Sequence, residues 1–170
     1  MKKIFFTLFV ATVFVKTTSA QTFYSSIVDS NKVTILNGIV SKAELESNKA
    51  FANWYPANQN AYQPTPDVLK AVQAAKDKYQ FVVFGGTWCE DTQFILPRFF
   101  KLQTLSGVDD KRVSFFAVDR SKKVEGNISS AFGITNVPTI IVMKDGKEVG
   151  RVVEYGKTGK WDVELAALLQ

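Results

Sequence analysis

The 170-residue chain carries 21 basic and 16 acidic side chains, a single cysteine and no histidine. Without histidine there is no Ser-His-Asp triad, no Cys-His pair, no HExxH zinc site and no imidazole proton relay. A lone cysteine forms neither an internal disulfide nor a cysteine-built metal cage, while the 46% hydrophobic content with 14 phenylalanines is that of a chain with a proper core.

Residues 1–20 read as a signal peptide. Lys2 and Lys3 give a positive start, Ile4 to Val15 is an apolar run of twelve, and Thr18-Ser19-Ala20 supplies small residues before a mature start at Gln21. The run is short of the ~20 residues that span a bilayer, so no membrane span is expected once the signal is removed. Its removal takes three lysines and leaves 18 basic against 16 acidic side chains. No dense basic stripe remains, and nucleic acid is excluded as an expected partner. There is no D-x-[DN]-x-[DN]-G calcium loop and no G-x-x-x-x-G-K-[ST] phosphate loop. No metal and no cofactor are expected.

In chain order, Lys32 to Val40 reads as extended. Ser41 to Glu44 fits a capping box opening a helix from about Lys42 to Trp54. Trp54 to Pro64 is aromatic, polar and bounded by proline, which predicts an ordered loop. Its aromatics fit packing on the core better than the covering of a pocket. Thr65-Pro66-Asp67 is an N-cap, a first-turn proline and an acid at the positive helix end, predicting a helix to about Tyr79. Phe81 to Phe84 is a continuous apolar run of the kind a buried parallel strand shows, broken by Gly85-Gly86. An amphipathic stretch from Cys89 to about Leu105 follows. Val113 to Val118 is a second buried strand, Ser129 to Phe132 a short helix and Thr139 to Met143 a third strand. Asp145-Gly146 makes a two-residue hairpin turn into Glu148 to Glu154, and Trp161 to Leu169 closes the chain as a helix. The order is β-α-β then β-β-α, an α/β domain with a mixed sheet flanked by helices. The expected organisation is a signal peptide over 1–20, an N-terminal helical extension over 21–64 packed on the core, and a domain over 65–170.

Cys89 falls where a strand meets the following helix. Unpaired amides and the positive end of the helix macrodipole favour a thiolate there, and only the thiolate attacks disulfides. The alternative is a buried structural cysteine acting as a small hydrophobe. The strand–Gly–Gly–helix context and the charged neighbours argue against it.

Gly86-Thr87-Trp88-Cys89-Glu90-Asp91-Thr92 resembles the thioredoxin active-site segment, a Trp-Cys-x-x-Cys after the central strand. Pro97, eight residues on, matches the proline that kinks the active-site helix, and Asp119 follows the next strand as an Asp does there. Phe132 to Thr139 resembles the segment holding the family's cis-proline, here Pro138, and Lys144 to Lys147 matches its hairpin. The match runs over about residues 66 to 170. With the exported start it is similar to bacterial secreted thioredoxin-like proteins carrying Trp-Cys-x-Asp-Thr, which implies a thioredoxin fold and a periplasmic or secreted location.

Three departures bear on what the resemblance implies. Thr92 stands where the second, resolving cysteine would be, making the motif a monothiol CxxT. Val83 stands where the buried acid would be. Glu90 and Asp91 fill the two intervening positions, and their charges oppose the helix end's preference for a thiolate by a similar amount, of order 1 kcal/mol each when exposed. By the resemblance, Cys89 is the nucleophile and Trp88 the rim against which a client packs. Val137 and Pro138 would offer backbone groups to an extended client strand. Thr92 would either donate its hydroxyl to the sulfur or simply tolerate the site.

Two functions follow as expectations. One is monothiol thiol–disulfide exchange on protein or peptide clients, with a reducing thiol donor implied because an oxidising compartment would cap a lone cysteine. The other is a redox-silent module that binds extended peptides through Trp88 and the Val137-Pro138 edge. A thiol peroxidase fits less well, because Thr87 and Cys89 lack a Thr-x-x-Cys spacing.

Overall fold

The structure is a computed structural model that describes residues 23–169, so the signal-peptide reading lies outside the described residues. Six strands form one sheet: β1 (Tyr24–Val28), β2 (Thr34–Ile39), β3 (Gln80–Gly85), β4 (Val113–Ala117), β5 (Thr139–Lys144) and β6 (Lys147–Val153). Their spatial order is β1-β2-β4-β3-β5-β6. β3 and β4 run parallel and every other neighbouring pair is antiparallel. Among the described residues the α-helices are α1 (Lys42–Ser47), α2 (Tyr55–Ala61), α3 (Pro66–Ala75), α4 (Glu90–Ser106), α5 (Ile128–Ala131) and α6 (Trp161–Ala167).

The central strands alternate between two faces, as the period of two requires. Phe81, Val83, Phe115, Ala117, Ile140 and Val142 point into a large core shared with helices α1 to α4 and α6. Phe84, Val118 and Ile141 point the other way, into a smaller core closed by Val124, Val137 and the α5 region. Buried on both faces, β3 and β5 read as unbroken apolar runs. The Asp145-Gly146 turn has φ of 50° and 75°, the left-handed pair of a tight hairpin.

The N-terminal extension is more than helical. It adds the β1–β2 hairpin to the sheet edge, turned by Asp29, whose Oδ1 accepts the Asn31 and Val33 amides at 2.9 and 3.0 Å. The single helix expected over 42–54 is two pieces. Ser41 Oγ accepts the Glu44 amide at 3.1 Å as a cap should, but Glu44 Oε1 takes the Asn48 side-chain amide at 3.0 Å instead of reaching back. Asn48 then ends α1 and caps a short 3-10 turn over Lys49–Phe51 through its Oδ1. The loop expected over 54–64 contains α2. Its helical form is paid for by tertiary contact, because Tyr55 is 1% exposed and Arg98 of α4 donates to Asn58 Oδ1 at 3.2 Å.

Candidate active site

Strand β3 ends at Gly85, the chain crosses Gly86-Thr87-Trp88, and Cys89 is the N-cap of α4 with φ −95° and ψ 124°. Its own amide donates to the Gly86 carbonyl at 2.9 Å, and its carbonyl accepts the Gln93 amide at 2.9 Å, so the residue is fixed at both ends. The sulfur serves as no cap acceptor. Instead the half-buried thiol donates to the Val137 carbonyl at 3.3 Å, across 48 residues of chain. The Val137–Pro138 peptide is cis, and both residues are buried. The 17-residue helix behind Cys89 aims its first-turn amides at this end of the sheet.

Trp88 packs against Gly86, where an added Cβ would meet the indole ring at 2.5 Å. Indole Nε1 donates to the Val118 carbonyl at 3.0 Å, and the Arg120 guanidinium stands 5.3 Å from the ring centroid. Asp29 Oδ2 holds that guanidinium by two bonds of 2.9 and 2.6 Å. The Val33 amide first, and the Arg120 guanidinium second, hold the Asp29 carboxyl below the usual range.

Thr92 is fully buried, and its Oγ1 accepts the Gly86 amide at 3.2 Å. Thr87 is 1% exposed; its hydroxyl accepts the Leu36 amide at 3.2 Å and donates to the Thr34 carbonyl at 2.9 Å, both on β2. Gln93 Nε2 donates to the Thr87 carbonyl at 2.8 Å. Glu90 is exposed and Asp91 half-buried. Tyr155, after β6, packs its ring 5.7 Å from that of Phe94, and burial first, then the Asp91 carboxylate beside it, raises its hydroxyl above the ordinary tyrosine value.

The thioredoxin family model matches residues 65–164. The chain belongs to the thioredoxin family. It is 31% identical over 95 residues to the TPR repeat-containing thioredoxin TDX of Arabidopsis thaliana, an alignment covering 55% of this chain and 23% of that protein. It is 36% identical over 76 residues to the thioredoxin of Staphylococcus saprophyticus, covering 44% of this chain and 66% of that one. The match thus spans less than two-thirds of either relative's own length. Among solved structures, an HIV epitope-scaffold aligns over 76% of this chain and 88% of its own, at 18% identity and a TM-score of 0.48.

Within this thioredoxin-family domain, the structure brings Cys89, Trp88, Val137 and Pro138 together at one end of the sheet, above the smaller core. Thr92 lies beneath the loop, bound to Gly86. Val83 sits wholly inside the larger core among aliphatic and aromatic neighbours. No local signal in the sequence marks Arg120, Tyr155 or the link of Thr87 to β2, since each contact joins segments far apart in the chain. Among the described residues there is no cluster of three or more histidine, cysteine or carboxylate side chains able to hold a metal, and no helix long and apolar enough to cross a membrane.

Proposed function

We propose that the protein is an exported monothiol thiol–disulfide exchange protein, of reductase or isomerase type, with Cys89 as its nucleophile. The observation that carries this reading is the Cys89 sulfur at the start of α4, half-buried beside the Val137 carbonyl. The backbone edge next to the sulfur is where an extended client can pair by strand addition, which sets a client disulfide beside Cys89.

In the first step the Cys89 thiolate attacks one sulfur of a client disulfide. The client S–S bond breaks, its other sulfur leaves as a thiolate and takes a proton from solvent, and a Cys89–client mixed disulfide forms. With Thr92 in the resolving position, a second thiol must come from outside. A thiol of the client attacking the client sulfur gives a rearranged client disulfide and free Cys89, with no net redox change. Two equivalents of a small reducing thiol instead release the reduced client and then Cys89, and are themselves oxidised to a disulfide.

The second reading is a redox-silent peptide-binding module in the same compartment, favoured by the apolar site around Val83 and by Thr92. Incubation of signal-free protein with oxidised glutathione separates the two by mass spectrometry. Exchange gives a one-glutathione adduct that dithiothreitol removes and Cys89→Ser abolishes. An unmodified wild-type protein that still binds an extended peptide equally well as Cys89→Ser would establish the module.

A further inference from the structure

Strand β2 pairs with β4 at two register positions, Gly38 with Ala117 and Ile39 with Phe116. The remainder of β2 runs on beyond that pairing, while Ser26 and Val28 of β1 pair with Leu36 and Thr34 on its other side. The Leu36 amide and the Thr34 carbonyl face the gap that β4 leaves. Thr87 fills it, its hydroxyl accepting from the first and donating to the second. One side chain thereby continues the ladder, and it belongs to the residue two before Cys89.

We propose that Thr87 is a positioning residue through which the β1–β2 hairpin sets the placement and reactivity of the Cys89 thiol. The inference rests on the exchange reading only in that Cys89 is the group positioned. Thr87 is tied on both sides, to the hairpin by its hydroxyl and to α4 by its carbonyl, which accepts Gln93 Nε2. Two further hairpin residues hold the other flank, the loop after β4. Asp29 fixes Arg120 beside Trp88, and Asn37 both donates to the Lys123 carbonyl at 2.9 Å and accepts the Glu125 amide at 3.3 Å. Trp88 joins the two flanks through its bond to the Val118 carbonyl. The loop before Cys89 and the loop after β4 are thus braced against the same hairpin.

The hydroxyl does both jobs at once, and an alkyl side chain of the same shape does neither. Thr87→Val keeps the shape but leaves a buried amide and a buried carbonyl unpaired, so the loop and β2 separate to let water in. The sulfur then moves relative to the helix start and to Val137. Thr87→Ser retains both bonds.

The test is the rate of Cys89 alkylation by iodoacetamide as a function of pH, for wild type, Thr87→Val, Thr87→Ser and Asp29→Asn, with circular dichroism as the check on folding. The expected result is a Thr87→Val profile displaced from wild type, with a rate at pH 8 changed at least threefold, a Thr87→Ser profile within twofold of wild type, and a smaller displacement for Asp29→Asn. A folded Thr87→Val protein whose profile superimposes on wild type overturns the proposal. If Thr87→Val does not fold, Thr87→Ala, which removes the hydroxyl without adding bulk, is measured in its place, and a profile superimposed on wild type there overturns the proposal. Alkylation reports the thiol whether or not glutathione exchange occurs, so failure of the exchange reading and failure of this one are told apart.

Discussion

The Gly86 amide donates to Thr92 Oγ1 at 3.2 Å, a fully buried bond between the loop that leads into the site and the first turn of α4. Thr92, which the resemblance sets where a second cysteine would stand, is therefore used to close the loop onto the helix. The Thr92 methyl also fills space against Gly85, where an added Cβ would meet it at 2.7 Å.

Thr92→Val preserves the shape and removes the acceptor, leaving a buried amide unpaired. The expected loss is about 1–3 kcal/mol. Thr92→Ser keeps the oxygen and loses one methyl group, for about 1 kcal/mol. Urea unfolding of the three proteins checks the order. A Thr92→Val protein as stable as wild type would show that the Gly86 bond contributes nothing.

Trp88 packs on Gly86 with no room for a side chain between them. Gly86→Ala must push the indole away and with it the Nε1 bond to Val118. Overpacking of this kind costs about 1–3 kcal/mol, and the displaced ring should become more accessible to an external quencher. The measurement is acrylamide quenching of tryptophan emission, taken as the difference between Gly86→Ala and the same variant carrying Trp88→Phe. Unchanged quenching would mean that the ring does not need the glycine.

Much of this site was legible in the sequence because its parts are local. The apolar runs of β3, β4 and β5 reflect burial on both faces, Thr65-Pro66 marks the start of α3, and the Asp145-Gly146 turn needs two left-handed residues. The strand–Gly–Gly–helix order puts the sulfur at a helix start. What was not legible is held by contacts over long chain separations. Strand β1 has one half-buried and four exposed residues, so it shows no alternation and exists because β2 pairs with it. Helix α2 is rich in weak helix formers and is carried by its packing on α4. Asn48 interrupts the expected helix because its side chain finds a better use as a cap. Thr87 has no local signal at all: its role is decided by two backbone groups more than fifty residues earlier.

Val83 has no exposed surface, and its neighbours in the larger core are apolar. Val83→Asp places a carboxyl among apolar neighbours, so it must be buried neutral or bring in water. The expected cost is about 3 kcal/mol or more at neutral pH, easing on acidification as the carboxyl protonates. Thermal melts at neutral and mildly acidic pH check both the size and the sign. A variant equal in stability to wild type at neutral pH would show a polar route to this position.

The Asp29–Arg120 pair gives the surroundings of Trp88 a pH dependence whose sign follows from the lowered Asp29 carboxyl. A carboxyl held below its ordinary value is ionised across the neutral range, so the pair's contribution is present above the unfolded-state value. It is lost as pH falls through the lower folded-state value. Once Asp29 is neutral, Arg120 is released and its contact with the Trp88 ring loosens. Trp88 emission, isolated as the difference from Trp88→Phe, should therefore stay constant from neutral pH down through the ordinary carboxylate range and change only below it. In Asp29→Asn the changed emission should already be present at neutral pH, with no further acid step. An identical acid step in both proteins would assign it to another carboxylate and separate the Arg120–Trp88 contact from Asp29.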